Sequence, residues 1–395
     1  MIRVSYVTCT RNRKAELLAT IAQLERLHAQ DPGQAELVVA DNASDEPVAS
    51  WLPATELPVR VVRLDRNMAA AGRNAAAERA RHDWLVMLDD DSAPKDLGHL
   101  RVLAGVDASV AAVMADITLP DGSRERGGLP EVFVGCGAAV RKDAFLQVGG
   151  YDPAIFFAAE EPDLCARLIA AGWWVAFSPW FRVLHHKTPT NRDLNRMLRL
   201  LTRNQGLIVE RTTPPQERRL LRRDHLRRCA WIARKEGAME GFAQGLAELR
   251  RLRRTVRPRP LSRPHFERFT GLLYARQAVQ QAIDGGRMAS ACLIHEGKHA
   301  WAVRRALLEA GVRLVDDPEQ ADRLAIATMS PGPMLDALVQ LHAQGLGDRA
   351  LAPWTPAAAY AGLQGEPFPL MPELVSDRPE PAAPAEAPAP ARIRA

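Results

Sequence analysis

The sequence has no closely spaced cysteine pair. Cys9, Cys136, Cys165, Cys229 and Cys292 are scattered, and none forms a C-x-x-C. That distribution excludes a zinc ribbon or a disulfide scaffold and fits a reducing compartment. No run of about 18 apolar residues occurs, so no membrane-spanning helix is expected. The first strand pattern starts at residue 2, leaving no room for a signal peptide. A cytoplasmic location is therefore expected, with a peripheral place at the inner face of a membrane. Glycine is missing from "TRNRKAE" after that strand, which argues against a triphosphate-cradling loop. Stacking aromatics do not interleave with the basic stretches, so nucleic acid is not an expected partner.

What is present is an alternation of two periodicities. "IRVSYVT", "AELVVADNAS", "VRVVRLD" and "WLVMLDDD" are short strand patterns. "AELLATIAQLERLHA" and the Ala-rich "AAAGRNAAAERA" repeat at helical spacing. This order predicts an α/β domain with a parallel sheet, and such sheets bind ligands beyond the carboxyl ends of their strands. Polar clusters stand at those ends: Thr10–Arg13, Asp41–Asp45 and Asp89–Asp91. Residues 117–132, rich in Gly, Pro and charge, read as a mobile loop. "EEPDLCARLIAAG" reads as a helix with its acids in the first turn, where the helix dipole favours them. "WWVAFSP" is a further strand, followed by "WFRVLHHKTP".

Three consecutive aspartates at a strand end repel one another unless something positive sits there. Successive strand side chains point to opposite faces, so Asp89 and Asp91 share a side and Asp90 turns aside. Two carboxylates so placed suit a hard cation, Mg2+ or Mn2+, which commonly also holds a phosphate. Glu160, Glu161 and Asp163 open a later helix, and His185 and His186 follow the next strand. The bland reading of each is a helix-terminal charge or a surface histidine.

Taken in order, "VTCTRNRKAELL", "VVADNASDEP", "NMAAAGRNAAAERA", "WLVMLDDD", "GCGAAVRKDAFLQVGGYDP", "EEPDLCARLIAAGWWV", "VLHHKTP" and "LTRNQ" resemble a family 2 glycosyltransferase of GT-A fold (nucleotide-diphospho-sugar transferase, Rossmann-like). The rhamnosyltransferase-like branch is the most similar, and the resemblance covers residues 2 to about 205. It implies an inverting, metal-dependent transfer from a UDP- or dTDP-type sugar to a hydroxyl, in cell-surface polysaccharide or glycoconjugate synthesis. It implies that Thr10, Arg11, Asp41, Arg73, Asn74, Asp89 and Asp90 contact the donor, and that Asp89, Asp91 and His185 hold Mn2+ or Mg2+. Glu161 matches the catalytic base, with Glu160 as the alternate, and Asp163 and Trp173 fall to the acceptor, a glycan or a lipid-linked one. Arg11 stands where an aromatic residue is common, and Glu161 where Asp is. The alternatives are a non-catalytic sugar- or membrane-binding protein on this fold, or a sugar nucleotidyltransferase.

From Arg192 to Arg259 arginines recur at helical spacing among Leu, Ile and Trp, which suggests an anionic surface such as phospholipid headgroups. Residues 289–366 alternate again, as a second, smaller α/β unit. The expected organisation is a transferase domain over 1–205, a basic helical region or linker over 206–285, a small α/β domain over 286–370, and a Pro/Ala-rich disordered tail over 371–395.

Overall fold

The computed structural model describes residues 2–188, 193–286 and 288–354; the Pro/Ala-rich tail lies outside them. In chain order the transferase-like part holds β1 (Val4–Thr10), α1 (Lys14–His28), β2 (Ala35–Asp41), β3 (Val59–Arg63), α2 (Gly72–Arg79), β4 (Trp84–Met87), β5 (Ser92–Pro94), α3 (Gly98–Ala104), β6 (Val110–Thr118), β7 (Ala138–Arg141), α4 (Lys142–Gln147), α5 (Glu160–Ala170) and β8 (Trp174–His185). A helical stretch follows: α6 (Leu194–Thr212), α7 (Pro215–Lys235), α8 (Met239–Leu252), α9 (Arg263–Thr270) and α10 (Leu272–Asp284). The last unit is β9 (Ser290–Ile294), α11 (Ala300–Glu309), β10 (Arg313–Leu314), β11 (Arg323–Ile326), α12 (Pro331–Ala343) and β12 (Ala350–Leu351).

The large sheet has the order β3-β2-β1-β4-β7-β6-β8-β5. Its first four strands are parallel, as their alternation with helices predicts. β7 then runs antiparallel between β4 and β6, and β5 antiparallel along β8, so the sheet is mixed. "WWVAFSP" and "WFRVLHH" form one strand, because the register on β6 jumps from Ala115↔Ser178 to Asp116↔Arg182. The residues skipped include Pro179, which a bulge accommodates because it owes the ladder no N–H.

Side chains alternate across this sheet as the pleat requires. Tyr6, Leu37, Val39 and Val86 face one core with Leu17, Ile21 and Leu24 of α1. Val7, Val38, Ala40 and Met87 face the other. That second core is continuous through α5, α6, α9 and α10 to Ala291, Leu324 and Ile326 of the small parallel sheet, ordered β10-β9-β11-β12. The helical stretch is thus packed structure, and α6 runs straight through residue 205.

Buried polar groups pin the parts together. Glu131, with no exposed surface, accepts two hydrogen bonds from Arg268 of α9 (2.8 and 2.6 Å) and one from the Tyr274 hydroxyl of α10 (2.8 Å). Arg268 also stacks on Trp174, 3.6 Å from the ring centroid. Of residues 117–132, read as a mobile loop, the first two end β6 and the rest is clamped: Arg124 pairs with Asp116 and with Asp336 of α12, each at 2.8 Å. The Ser330 hydroxyl donates to the Gly128 carbonyl (3.2 Å).

Candidate active site

β1 and β2 end level with each other, Thr10 beside Asp41. Past β4 the chain runs through Leu88–Asp91 and turns back into β5, whose Ser92 pairs with His185 on β8. The Asp91 carbonyl accepts the His186 amide (2.9 Å). This turn is what brings the aspartates to the histidine.

His185 Nε2 lies 3.3 Å from Asp91 Oδ1 and 3.8 Å from Asp89 Oδ2. Its Nδ1 lies 3.1 Å from Glu125 Oε2 and 3.5 Å from the Cys136 sulfur. Burial opposes the imidazolium, but hydrogen bonds to Asp91, Cys136 and Glu125 prevail and raise His185 to about 12. Glu125 is held down to about 2, against its burial, by His185 and Lys187, and Asp91 is likewise lowered by His185 and Thr188. A proton on His185 thus supplies positive charge where the carboxylates converge, and a cation ligated through Nε2 would replace that proton. Asp89 Oδ2 and Asp91 Oδ1 each lie within 4 Å of His185 Nε2, and oxygen and nitrogen donors suit Mn2+ or Mg2+. Asp89, Cys136 and His185 also cluster closely enough to ligate, but a thiol whose pKa burial raises to about 11 is a poor partner for a hard ion.

Glu160 and Glu161 open α5. Glu161 Oε1 accepts the Gly135 amide at 2.9 Å, and a Cβ on Gly135 would lie 2.6 Å from that oxygen, so only glycine lets the carboxylate settle there. Glu160 Oε2 is buried with no partner. Burial raises both pKa values, Glu160 further because Glu161 adds its charge, while Arg73 works against the rise. Carboxyls raised in this way suit a base working near neutral pH. The approach to α5 is strained: Phe156, Ala158 and Ala159 all have positive φ (65°, 62° and 84°). Asn204 of α6 holds that approach, its amide donating to the carbonyls of Ile155 (2.8 Å), Phe157 (2.7 Å) and Ala158 (3.0 Å).

The residues expected at the donor divide. Arg11 is exposed. The Thr10 hydroxyl instead donates to Asp90 (2.7 Å), and Asp90 also takes Arg13 Nε (2.8 Å). Both are buried, so they brace the turn and present no free side chain; burial lifts Asp90 to about 6. Asp41 has no exposed surface and accepts the Ser44 and Val48 amides (2.8 and 3.1 Å) and Arg63 (2.6 Å), which makes it a loop anchor. Arg73 is buried too, reaching Asp89 Oδ1 (2.5 Å) and the Leu88 carbonyl (2.9 Å). Asn74 exchanges hydrogen bonds with the Tyr151 backbone (2.8 and 2.9 Å) and fixes α2 to that turn.

The residues expected at the acceptor are engaged within the fold. Asp163 is 1% exposed, its oxygens taken by Arg167 (2.7 Å) and Arg211 (2.8 Å). Trp173 lies beyond the far end of α5, its indole on Gln147 (2.8 Å) and its carbonyl on Arg268 (2.6 Å). Eleven helical residues put it about 15 Å from the acid pair. Sequence reasoning assigned no role to Arg13, Glu125, Cys136, Gly135, Lys187 or Thr188. Arg13 sat in a quoted polar cluster, whereas Glu125 carried no local signal.

Residues 5–148 match the family described as "Glycosyl transferase family 2". An "Uncharacterized glycosyltransferase" of Haemophilus influenzae is 28% identical over 192 residues, 42% of this chain and 62% of its own. An "N-acetylglucosaminyl-diphospho-decaprenol L-rhamnosyltransferase" of Mycobacterium tuberculosis is 49% identical over 55 residues, 14% of this chain and 18% of its own. The chain thus spans less than two thirds of either relative. Among solved structures, a Pyrobaculum calidifontis mannosyltransferase in complex with GDP-Man and Mn2+ is 15% identical at a TM-score of 0.44, covering 78% of this chain and 86% of that one. S. aureus TarS 1-349 with UDP-GlcNAc is 13% identical at 0.46, covering 72% and 88%. Residues 5–148, which carry most of the ordered motifs, are thus similar to a glycosyltransferase family 2 domain.

Proposed function

We propose that the chain transfers a sugar from a UDP- or dTDP-type nucleotide-sugar to a hydroxyl acceptor, with inversion and with a divalent cation. The observation that carries this reading is the convergence of Asp89 Oδ2 and Asp91 Oδ1 on His185 Nε2, electrostatically coupled through Arg73 to a buried acid pair. Asp89, Asp91 and His185 would hold Mn2+ or Mg2+. Such an ion neutralises the charge that builds on a nucleoside diphosphate as the glycosidic bond breaks.

The chain's own groups have distinct tasks. Arg73 holds Asp89 Oδ1 and leaves Oδ2 directed at His185. Arg13 and Thr188 hold Asp91 Oδ2 (2.8 Å each) and leave Oδ1 there. Glu161, seated on the Gly135 amide, takes the proton of the acceptor hydroxyl as it attacks, and its burial keeps its pKa high. One displacement on the face opposite the leaving group inverts the anomeric centre. Relatedness to the rhamnosyltransferase branch rests on the short mycobacterial match, whose named acceptor is a lipid diphosphate.

A peripheral membrane contact belongs to the same reading. Arg219, Arg223, Arg227, Trp231 and Lys235 recur every fourth residue along α7 and are exposed, Trp231 by 58%. Basic side chains with an exposed indole suit an anionic headgroup layer. Among the described residues no helix is long and apolar enough to cross a membrane.

The test is a donor panel. Protein with Mn2+ or Mg2+ is incubated with UDP-, dTDP- and GDP-sugars, following nucleoside diphosphate release and donor binding by thermal shift. Metal-dependent release from one donor, lost in Asp91→Asn and Glu161→Gln, supports the reading. Absence of stabilisation by any nucleotide-sugar with metal would remove it and favour a binding protein on this fold.

A further inference from the structure

Between α6, α7, α9 and the turn after β9 lies a narrow cleft. Pro162, the neighbour of Glu161, forms part of its wall, with Gln205, Asp224, His225, Arg228 and Lys298. The cleft is therefore built by the helical stretch and the second α/β unit, against the start of the helix that bears the acid pair.

Its charges are unbalanced. Arg199, Arg211, Arg222 and Arg305, on helices around it, each have a carboxylate within 3 Å. Arg228 and Lys298 have no ion pair and no side-chain hydrogen bond among the described residues. The other basic groups there add no charge. Burial lowers His225 to about 4 and His299 to about 3, and their rings are engaged by the carbonyls of Thr202 (3.0 Å) and Thr270 (2.9 Å). Asp224, on α7 one turn before Arg228, is raised by its own burial and pairs with neither cation. Lys298 is lowered to about 7, by burial first and by Arg228 next, with Glu161 pulling the other way. Asp224 and Glu161 attract these cations without reaching ion-pair contact, and two cations that face one confined space with no carboxylate in contact favour an anion placed between them. A guanidinium fork and an ammonium together match the oxygens of a phosphate.

We propose that this cleft binds the phosphate or diphosphate group of the acceptor, held between Arg228 and Lys298, with the acceptor hydroxyl directed to Glu161. The donor's diphosphate has a separate place at Asp89, Asp91 and His185. The word acceptor rests on the transferase reading; the anion site does not.

Calorimetry tests it on the full chain in EDTA with inorganic pyrophosphate as the probe. Wild type should bind, Lys298→Gln and Arg228→Gln should each weaken binding about tenfold or more, and Lys298→Arg should restore most of it. UDP with Mn2+ should bind all four proteins alike. No binding to wild type, or equal binding to both neutral variants, overturns the proposal. Pyrophosphate binding that depends on these cations, without any UDP–Mn2+ binding, keeps the anion site and removes the transferase reading. Co-sedimentation with vesicles carrying a long-chain prenyl phosphate separates the sources. Binding lost in Lys298→Gln marks a lipid-linked phosphate, and binding indifferent to the substitution marks a soluble one.

Discussion

The chain holds one mixed sheet and one small parallel sheet, and the turns at their strand ends carry opposite charge. At the large sheet, the turn after β4 and the end of β8 bring three aspartates, Glu125 and His185 together, a set that attracts a cation. At the small sheet, the turn after β9 delivers Lys298 toward Arg228, a pair that attracts an anion. Each follows the rule that open sheets bind ligands beyond strand ends. The fold supplies the ledge, and the turn residues decide what rests on it. The contrast extends to self-sufficiency. The acidic edge is cross-linked by its own hydrogen bonds, whereas the basic edge is left unpaired.

The comparison breaks most visibly at the acids. Glu161→Gln keeps the hydrogen bond to Gly135 but removes the base, and kcat should fall about 10²- to 10⁴-fold with UDP–Mn2+ affinity unchanged. A fall in donor affinity instead would place Glu161 in the donor site. Asp91→Asn should lose metal-dependent activity and metal-dependent donor binding together, which titration of Mn2+ at fixed donor would read.

The next largest effect is expected where the two sheets are joined. Arg268→Met leaves Glu131 buried without its guanidinium, and breaking such a pair costs about 3–5 kcal/mol. Chemical denaturation should show it as a lower midpoint. An unchanged midpoint would mean that the continuous apolar core, not this ion pair, couples the two units.

Legibility in the sequence followed distance along the chain. The first four strands, the side shared by Asp89 and Asp91 and the acidic first turn of α5 are local patterns with a period of two or a helix start. Asp89, Asp91 and His185 were singled out because each ends or follows a strand. Asp41, Thr10 and Asn74 were expected at the donor from the family resemblance, which does not reveal whether a side chain's lone pairs are already taken. Glu125 meets His185 across 60 residues, and Arg13 meets Asp90 across 77. No periodicity reports such partners. The antiparallel β7 and the three-residue β5 lack enough length to show alternation, so the sheet read as purely parallel.

Asn204 sharpens the acidic side more gently. Left-handed residues of this kind cost on the order of 1–3 kcal/mol each, and one amide group spans the segment that contains them. Asn204→Ala should lower kcat about tenfold with little change in KM for the donor, since Glu160 and Glu161 lose their fixed position. Asn204→Asp, which keeps the volume but reverses the donor, should be no better. A change confined to donor KM would show that the segment serves the nucleotide and not the base.

The smallest effect concerns the basic side and has the opposite sign to the rest. A lysine whose folded pKa is lowered to about 7 destabilises the free protein wherever it is charged in the unfolded chain. The penalty is complete below pH 7, shrinks as pH rises through the interval up to the ordinary lysine value near 10.5, and is absent above it. Lys298→Gln should therefore melt later than wild type at pH 6.5, by about 1–3 °C, after allowance for the solvent that reaches this partly exposed side chain. The gain should fade toward pH 10. Arg228→Gln should give a similar gain at pH 6.5, because it removes the other half of the repulsion. A group kept at a cost to stability is explained by what it binds, so a loss of pyrophosphate affinity accompanied by a higher melting temperature would distinguish a binding lysine from a structural one. If Lys298→Gln melts earlier than wild type at pH 6.5, the lysine is tied to Glu161 as an ordinary supporting pair, and the two sheet edges differ less than their charges suggest.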